Sequence, residues 1–206
     1  YTFTGDGFTS ATNDPDIYLE RGHRYAFLNN SGGSHPFQIR VASGGSAYAT
    51  GVTYHKGDLY FSEVNSIWKI SNIDNVLKNS SAIPKKVLVT DNLPSDTWHG
   101  WKWIDFGPDG ALYISEGVQC NVCDEDDTRY GTILKLENNK LSIYADGVRN
   151  SVGFDWHPES KEMYFTDNGR DWMGDDIPPC ELNRVVNAGD HFGFPFIHGK
   201  NVPDTG

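Results

Sequence analysis

The sequence predicts an all-β chain, most of which forms a partial β-propeller. Short runs rich in Tyr, Trp, Val and Ile alternate with turn residues, and the 206 residues include 22 glycines and 10 prolines. The hydrophobic pattern shows no long amphipathic helix, and one hairpin design returns about every fifty residues. Such an interval is typical of four-stranded propeller blades, whereas a β-sandwich has no reason to repeat at this distance.

The repeated hairpin has a strand end, a turn of Gly, Pro or Asp type, and then an apolar residue, Tyr, another apolar residue, a hydroxyl residue and a carboxylate. Its copies are TYHKGDLYFSE (53–63), DFGPDGALYISE (105–116) and DWHPESKEMYFTD (155–167). The tyrosines Tyr60, Tyr113 and Tyr164 are therefore 53 and 51 residues apart. A further short β-like run follows each copy: SIWKI (66–70), GTILKL (131–136) and CELNRV (180–185).

The length of the chain limits the number of blades. Only about three such units fit within residues 51–206, whereas propellers close with about four to eight blades. The propeller is therefore expected to be incomplete. Residues 1–48 lack the repeat and read as short strands separated by Gly-rich breaks, which predicts a small β-sandwich fragment. The predicted boundary lies near Ala47 to Gly51.

The net charge of the chain limits the classes of partner that it can bind. A net charge of −11 argues against nucleic acid or an anionic membrane surface, because acidic side chains repel phosphate, and divalent cations are more natural partners. No apolar run approaches the roughly eighteen residues of a membrane span. The chain begins at Tyr1 without a start methionine or signal peptide, which predicts a piece of a longer protein. Asn-X-Ser triplets at Asn29 and Asn79 agree with export.

Three stretches carry a resemblance to a known family. They are DTWHGWKWIDFGPDGALYISEGVQCNVC (96–123), YADGVRNSVGFDWHPESKEMYFTDNGRDWMGDDIPPCELNRV (144–185) and HFGFPFIHG (191–199). Through them the chain resembles the glucose/sorbosone dehydrogenase family over about residues 51–206. This resemblance implies a six-bladed propeller of which about half is present. It also implies oxidation of a sugar or aldose with pyrroloquinoline quinone (PQQ) and calcium, an external electron acceptor, and an extracellular or periplasmic location.

Residues 1–48 resemble the start of a cupredoxin-like domain through DPDIYLERGHRYAFLNN (14–30) and SHPFQI (34–39). That resemblance implies that His35 stands where the first copper ligand would be. A blue copper site needs two His and a Cys, and the later ligands have no counterpart before the propeller begins. No copper is therefore expected, and His35 is predicted to lie on a β surface.

The resemblance makes His99 the candidate general base. In the family, the histidine before the FGPDG strand pair takes the hydroxyl proton of the sugar while hydride passes to the quinone. A neutral imidazole suits this role because its ordinary pKa is close to the working pH. The alternative is a loop histidine stacked among Trp98, Trp101 and Trp103.

Three further residues are candidate contacts to PQQ. The resemblance places the Lys102 ammonium against the carboxylates or the developing oxyanion of the quinone, and the alternative is an exposed cation at a strand start. In DGVRNSVGF, the Arg149 guanidinium can bind carboxylates in a bidentate manner, and the Asn150 amide can hydrogen-bond the quinone edge. The alternative for Arg149 is a buried salt bridge between blades, with Asp146 as its local partner.

The stretch TDNGRDWMGDD (166–176) is the candidate calcium loop. Its acidic residues are Asp167, Asp171, Asp175 and Asp176. Their spacing does not match an EF-hand, and composition alone indicates a solvated turn. The resemblance implies instead that main-chain carbonyls near Gly169 and Arg170 hold the calcium, which would polarise the quinone carbonyl that accepts hydride.

The three cysteines are Cys120, Cys123 and Cys180. A zinc site would need two more ligands, and a thioredoxin-type redox pair would need a βαβ context. A local disulfide between Cys120 and Cys123 is the leading prediction, and the CN-x-C element of the family supports it. Cys180 is left over, and its partner could lie outside the chain.

The leading functional hypothesis is thus a PQQ- and calcium-dependent sugar or aldose dehydrogenase. The alternative is a non-catalytic propeller module that binds carbohydrate or protein, although such a surface has no need of His99 together with Arg149 and Asn150. A third hypothesis is an inert fragment, because the absent blades would supply further contacts to the cofactor.

Overall fold

The computed structural model describes residues 2–3, 12–13, 50–78 and 85–204, and the chain divides into two compact units, Tyr1–Phe37 and Gln38–Gly206. In the first unit, strand β1 (Thr2–Phe3) pairs antiparallel with strand β2 (Thr12–Asn13). The cupredoxin-like resemblance, with His35, rests on residues outside the described ranges, as does most of the predicted boundary at 47–51. Those expectations stay predictions.

The first sheet of the second unit is a four-stranded antiparallel meander. Its strands, in chain order and in spatial order, are β3 (Gly51–His55), β4 (Asp58–Ser62), β5 (Ile67–Ile70) and β6 (Lys86–Thr90). The turn between β3 and β4 consists of Lys56 and Gly57, whose φ angles of 49° and 90° are those of a hairpin turn that matches the strand twist. A six-residue helix, α1 (Ile73–Lys78), lies between β5 and β6. Within the described residues, no helix is long and apolar enough to span a membrane.

The second sheet repeats the meander. Its antiparallel strands are β7 (Ile104–Phe106), β8 (Leu112–Glu116), β9 (Thr132–Glu137) and β10 (Lys140–Asp146). The third sheet is antiparallel and contains β11 (Gly153–Trp156), β12 (Met163–Asp167) and β13 (Glu181–Val185).

Within residues 85–204, the chain after β13 does not add a fourth strand to the third sheet. It returns to the second sheet, where β14 (Asp190–His191) pairs parallel with β10. A last antiparallel pair follows, formed by β15 (Ile197–His198) and β16 (Val202–Pro203). The expected count of four strands is therefore found in the first sheet, while the second has five strands and the third has three among the described residues.

The fifty-residue repeat corresponds to the first two strands of each sheet. Tyr60, Tyr113 and Tyr164 all lie on the second strand, opposite Thr53, Asp105 and Asp155 of the first strand. This register defines equivalent positions in the sheets. It makes His99 equivalent to Arg149, since each lies six residues before the aspartate that faces the tyrosine.

Two apolar clusters hold the three sheets together. Strand β8 is buried along its whole length, and successive side chains point to opposite faces. Leu112 and Ile114 join Ile67 of the first sheet in one cluster, and Tyr113 joins Phe165 of the third sheet in the other. The second sheet therefore packs between the first and the third. Burial of each such aliphatic or aromatic side chain contributes about 1.5–3 kcal/mol.

Candidate functional site

Four loops meet at one end of the second and third sheets. The loops at 99–103 and 149–152 precede the first strands β7 and β11, and the loops at 117–121 and 168–172 follow the second strands β8 and β12. Because first and second strands are antiparallel, these loops lie at the same end. Hydrogen bonds join them: Val118 N donates to Arg149 O at 3.0 Å, and Asn168 N donates to Asn150 O at 3.2 Å.

His99 is anchored through one ring nitrogen. It is half-buried, its φ angle is 51°, and Nδ1 lies 2.9 Å from Val118 O. A carbonyl oxygen only accepts hydrogen bonds, so Nδ1 carries the proton and Nε2 carries the lone pair of the neutral ring. Nε2 has no hydrogen-bond partner in the part of the chain that the structure describes. The ring also lies near Trp98, at a centroid distance of 5.9 Å, but the two rings are inclined by 56° and do not form the stack that the alternative interpretation expected.

The environment of His99 favours the neutral imidazole. Burial is the largest effect and lowers the pKa of His99, and the positive charge of Arg149 lowers it further. The hydrogen bond to Val118 and the charge of Asp171 oppose this shift without reversing it. His99 therefore stays in the form that can accept a proton at neutral pH.

Asn150 lies beside His99, with Gly117 between them. A Cβ at Gly117 would lie 2.6 Å from His99 Cβ and 3.2 Å from Asn150 Oδ1, so only glycine fits this position without displacing a neighbour. The half-buried Asn150 is fixed by its backbone, since its N–H donates to Asp167 Oδ1 at 2.6 Å. Its side-chain amide has no hydrogen-bond partner among the described residues. The site thus places the His99 and Asn150 residues close to Gly117, each with a polar side-chain group that has no partner among the described residues.

Lys102 is not the exposed cation that its position suggested. It is 2% exposed, and its Nζ donates to Glu116 Oε1 at 2.7 Å and to Gly100 O at 3.0 Å. Burial lowers the pKa of Lys102 and raises the pKa of Glu116 to about 7, while the attraction between the two charges opposes both shifts. The second carboxylate oxygen, Glu116 Oε2, has no partner among the described residues. Lys102 therefore holds the His99 loop on the end of β8.

Arg149 is also turned inward. Its guanidinium donates to the side-chain and main-chain oxygens of Asn121 and to the carbonyls of Asn168 and Gly169. Asp146, the partner expected from the sequence for a buried salt bridge, is not among these contacts, and the nearest carboxylate oxygen is that of Asp171 at 3.7 Å.

In the predicted calcium loop, the main-chain carbonyls, the Asp167 carboxylate and the remaining aspartates have different environments. Of the two predicted carbonyl ligands, Gly169 O accepts the hydrogen bond from Arg149, whereas Arg170 O has no hydrogen-bond partner among the described residues. The Arg170 guanidinium forms an ion pair with Asp204. The buried Asp167 carboxylate accepts the backbone N–H groups of Arg149 and Asn150, and burial raises the pKa of Asp167 to about 6. Asp175 and Asp176 are exposed, as a solvated turn predicts.

The structure contains the predicted disulfide between Cys120 and Cys123, while Cys180 is free and exposed. The residue that the sequence analysis missed is Asn121, inside the disulfide loop. It binds Arg149 and accepts the Asp171 N–H at 2.8 Å. The motif CNVC contained this residue, but nothing in its spacing indicated what its oxygens would bind.

Several solved structures resemble this chain. A Trichoderma reesei carbohydrate-active enzyme of family AA12 aligns with a TM-score of 0.60 and 20% identity, over 76% of this chain and 46% of that chain. The PQQ domain of pyranose dehydrogenase from Coprinopsis cinerea aligns with a TM-score of 0.59 and 10% identity, over 75% of this chain and 46% of that chain. A Thermus thermophilus oxidoreductase, described as a glucose dehydrogenase, aligns with a TM-score of 0.55 and 21% identity, over 74% of this chain and 52% of that chain. The chain shares its fold with these enzymes.

At the sequence level, an uncharacterised protein of Borreliella burgdorferi is 37% identical over 165 residues, which is 76% of this chain and 43% of that protein. No protein-family model matches the chain. The chain spans about half of the structures that it resembles and less than half of this relative.

The residues that the resemblance assigned to PQQ and calcium do not fit those groups as a set. Lys102 and Arg149 are buried and donate to protein oxygens, and Gly169 O already faces a guanidinium. A carboxylate of the quinone would have to compete with these protein oxygens for Lys102 and Arg149. His99 Nε2, the Asn150 amide and the main-chain carbonyl of Arg170 are the predicted groups without a hydrogen-bond partner among the described residues.

Proposed function

We propose that the protein is part of a sugar-oxidising dehydrogenase in which His99 is the general base. The observation that carries this proposal is the hydrogen bond from His99 Nδ1 to Val118 O, which leaves Nε2 as an acceptor without a partner among the described residues. His99 and Asn150 both lie close to Gly117. The fold shared with glucose and pyranose dehydrogenases supports it. The three sheets and their repeat support a partial β-propeller as the frame of the site.

The proposed role of His99 is to remove a proton. Oxidation of a CH–OH group removes a hydride from carbon and a proton from oxygen, and the described residues account for the proton. A sugar hydroxyl that approaches Nε2 would transfer its proton there, and the lowered pKa of His99 keeps this nitrogen unprotonated at neutral pH. The Asn150 amide would orient the hydroxyl by hydrogen bonding.

PQQ with calcium is the proposed oxidant of the whole protein, on the resemblance of the sequence and the likeness to a PQQ domain. Because Lys102, Arg149 and Gly169 are engaged with protein groups, we assign none of them a direct contact with it. An external electron acceptor and an extracellular or periplasmic location belong to the same proposal.

The test is a comparison of His99→Gln with His157→Gln. His157 is an exposed histidine in the β11–β12 turn, at the opposite end of these two strands from the site loops. We expect sugar-dependent dye reduction, measured with PQQ and calcium added, to fall by about a hundredfold or more in His99→Gln, the usual contribution of a general base. His157→Gln should leave it unchanged. Equal rates in the two variants would refute the role of His99.

A carbohydrate-binding module without catalysis is the second candidate, and one observation favours it. Trp98, Trp101 and Trp103 are each about half exposed around the same loop. Exposed aromatic side chains often mark a binding site. Quenching of tryptophan fluorescence by sugars, retained in His99→Gln and accompanied by no turnover in the wild type, would favour this candidate over the dehydrogenase.

A further inference from the structure

The Arg149 guanidinium is enclosed by oxygen atoms from two loops. Its side chain is 5% exposed. Nε donates to Asn121 O at 2.9 Å and Nη2 donates to Asn121 Oδ1 at 2.9 Å. Nη1 donates to Asn168 O at 3.2 Å and to Gly169 O at 3.0 Å. Four hydrogen bonds therefore connect the disulfide loop after β8 to the loop after β12.

These acceptors are the oxygen types that calcium prefers, namely main-chain carbonyls and a side-chain amide. Calcium, however, needs about six to eight oxygens that converge on one point at about 2.3–2.6 Å. A guanidinium instead presents N–H donors that diverge in one plane, and the oxygens around Arg149 are placed at hydrogen-bond distances from those donors. Gly169 O, which the family resemblance gives to calcium, belongs to this set, and a second cation on it would be repelled by Arg149.

Two carboxylates lie close to Arg149. Asp171 Oδ2 lies 3.7 Å from Nη2, and the Asp171 N–H donates to Asn121 Oδ1 at 2.8 Å. Asp167 directs its two oxygens to the backbone N–H groups of Arg149 and Asn150. The nearest carboxylates are therefore engaged with Arg149 and its neighbours.

The second sheet provides an independent parallel. Val118 and Gly169 are equivalent, because each lies five residues after the repeat tyrosine of its sheet. Val118 O accepts a hydrogen bond from the His99 side chain, and Gly169 O accepts one from the Arg149 side chain. His99 and Arg149 are themselves at equivalent positions. The carbonyl at this position is thus paired with a side chain of the preceding loop in both sheets.

We infer that Arg149 is the cation that holds the 168–171 loop, and that Gly169 O is its acceptor and not a calcium ligand. The inference concerns the loop alone and does not depend on the proposed function. His99 can act as the base whether or not it is correct.

One carbonyl resonance tests the inference directly. Gly169–Arg170 is the single Gly–Arg step in the sequence. Labelling with [1-¹³C]glycine and [¹⁵N]arginine therefore gives one HNCO correlation, which reports on Gly169 C=O. We expect its ¹³C shift in the wild-type chain to be the same in EDTA and in millimolar calcium chloride. A saturable calcium-dependent shift would overturn the inference, whereas calcium bound to a distant acidic loop would leave this resonance unmoved.

A stability measurement tests the other half of the inference. Arg149→Met should lower the melting temperature in EDTA and in calcium alike, by clearly more than Arg129→Met. Arg129 is the matched control, because its guanidinium pairs with Asp127 at a partly exposed position. Equal melting temperatures for the two variants would overturn the role of Arg149. If Arg149→Met does not fold, Arg149→Lys replaces it, and the HNCO resonance should then shift because the fork of donors is lost.

Discussion

The loops that begin at His99 and at Arg149 occupy equivalent positions but carry different side chains. In each, the first side chain donates a hydrogen bond to a carbonyl, Val118 O or Gly169 O. His99 uses one of two nitrogens in this way and keeps a lone pair on the other. Arg149 has only donors, and the protein takes up four of their hydrogen bonds.

The loops also differ in how the carboxylate at the end of the second strand supports them. Asp167 accepts two backbone N–H groups, so its loop is held by neutral donors. Glu116 pairs with the buried Lys102 ammonium and leaves Oε2 without a partner among the described residues. One backbone frame therefore supports both a histidine with a free ring nitrogen and an arginine whose donors bind protein oxygens. The side chain placed on the frame decides which it is.

The largest effect is expected from removal of the buried cation under the His99 loop. Lys102→Met leaves the Glu116 carboxylate buried without its partner, which typically costs about 3–5 kcal/mol of unfolding free energy. Lys69→Met is the matched control, because the Lys69–Asp58 pair has the same 2.7 Å separation but both side chains are partly exposed. We expect the control to cost less than about 1 kcal/mol. Urea denaturation measures both, and equal losses would show that burial does not distinguish the two pairs.

The pH dependence of the same pair gives the next effect. The pKa of Glu116 is raised from 4.5 to about 7 in the folded chain, so folded protein binds this proton more tightly than unfolded protein does. Its contribution to stability is therefore complete below pH 4.5 and is lost as the pH rises through about 7. Glu116→Gln does not titrate at this position. The stability of the wild type relative to Glu116→Gln should thus fall with rising pH, by up to about 3 kcal/mol.

Urea denaturation at a series of pH values checks this second prediction. Asp167, whose pKa is raised to about 6, is present in both proteins and cancels in the difference. A difference that instead increases with pH would mean that the Lys102 charge outweighs burial and keeps Glu116 ionised.

The sequence predicted the parts of the fold that depend on local chemistry. The repeat around Tyr60, Tyr113 and Tyr164 identified the hairpin of each sheet, because alternating apolar residues and turn residues fix strand pairing locally. It did not predict that the segment after β13 would join β10 as β14. That pairing depends on a long-range contact between β10 and a strand of only two residues, which leaves little periodic signal.

The candidate site likewise has a part that the sequence predicted and a part that it did not. The sequence brought attention to His99, Lys102, Arg149 and Asn150, and the structure gathers them at one end of the sheets. It could not show which donors were already engaged, because Glu116 and Asn121 are distant in sequence from Lys102 and Arg149. A buried Lys or Arg can either contact a cofactor or support a loop, and the sequence looks the same in both cases. Only the partners of each cation separate the two roles.

The last prediction concerns Gly117, which lies close to His99 and Asn150. Gly117→Ala places a methyl group 2.6 Å from His99 Cβ and 2.8 Å from His99 O, so the His99 loop has to move. Such overpacking typically costs about 1–3 kcal/mol. Displacement also breaks the hydrogen bond to Val118 O, so the Nδ1–H signal of His99 should lose its protection from exchange in ¹⁵N imidazole spectra. Gly153→Ala is the control at the start of β11, where the nearest atom would be Thr166 Oγ1 at 3.9 Å, and its effect should stay within about 0.5 kcal/mol. If both variants retain the His99 signal and equal stability, the close approach at Gly117 does not position the base, and the difference between the two loops must arise from the buried pair alone.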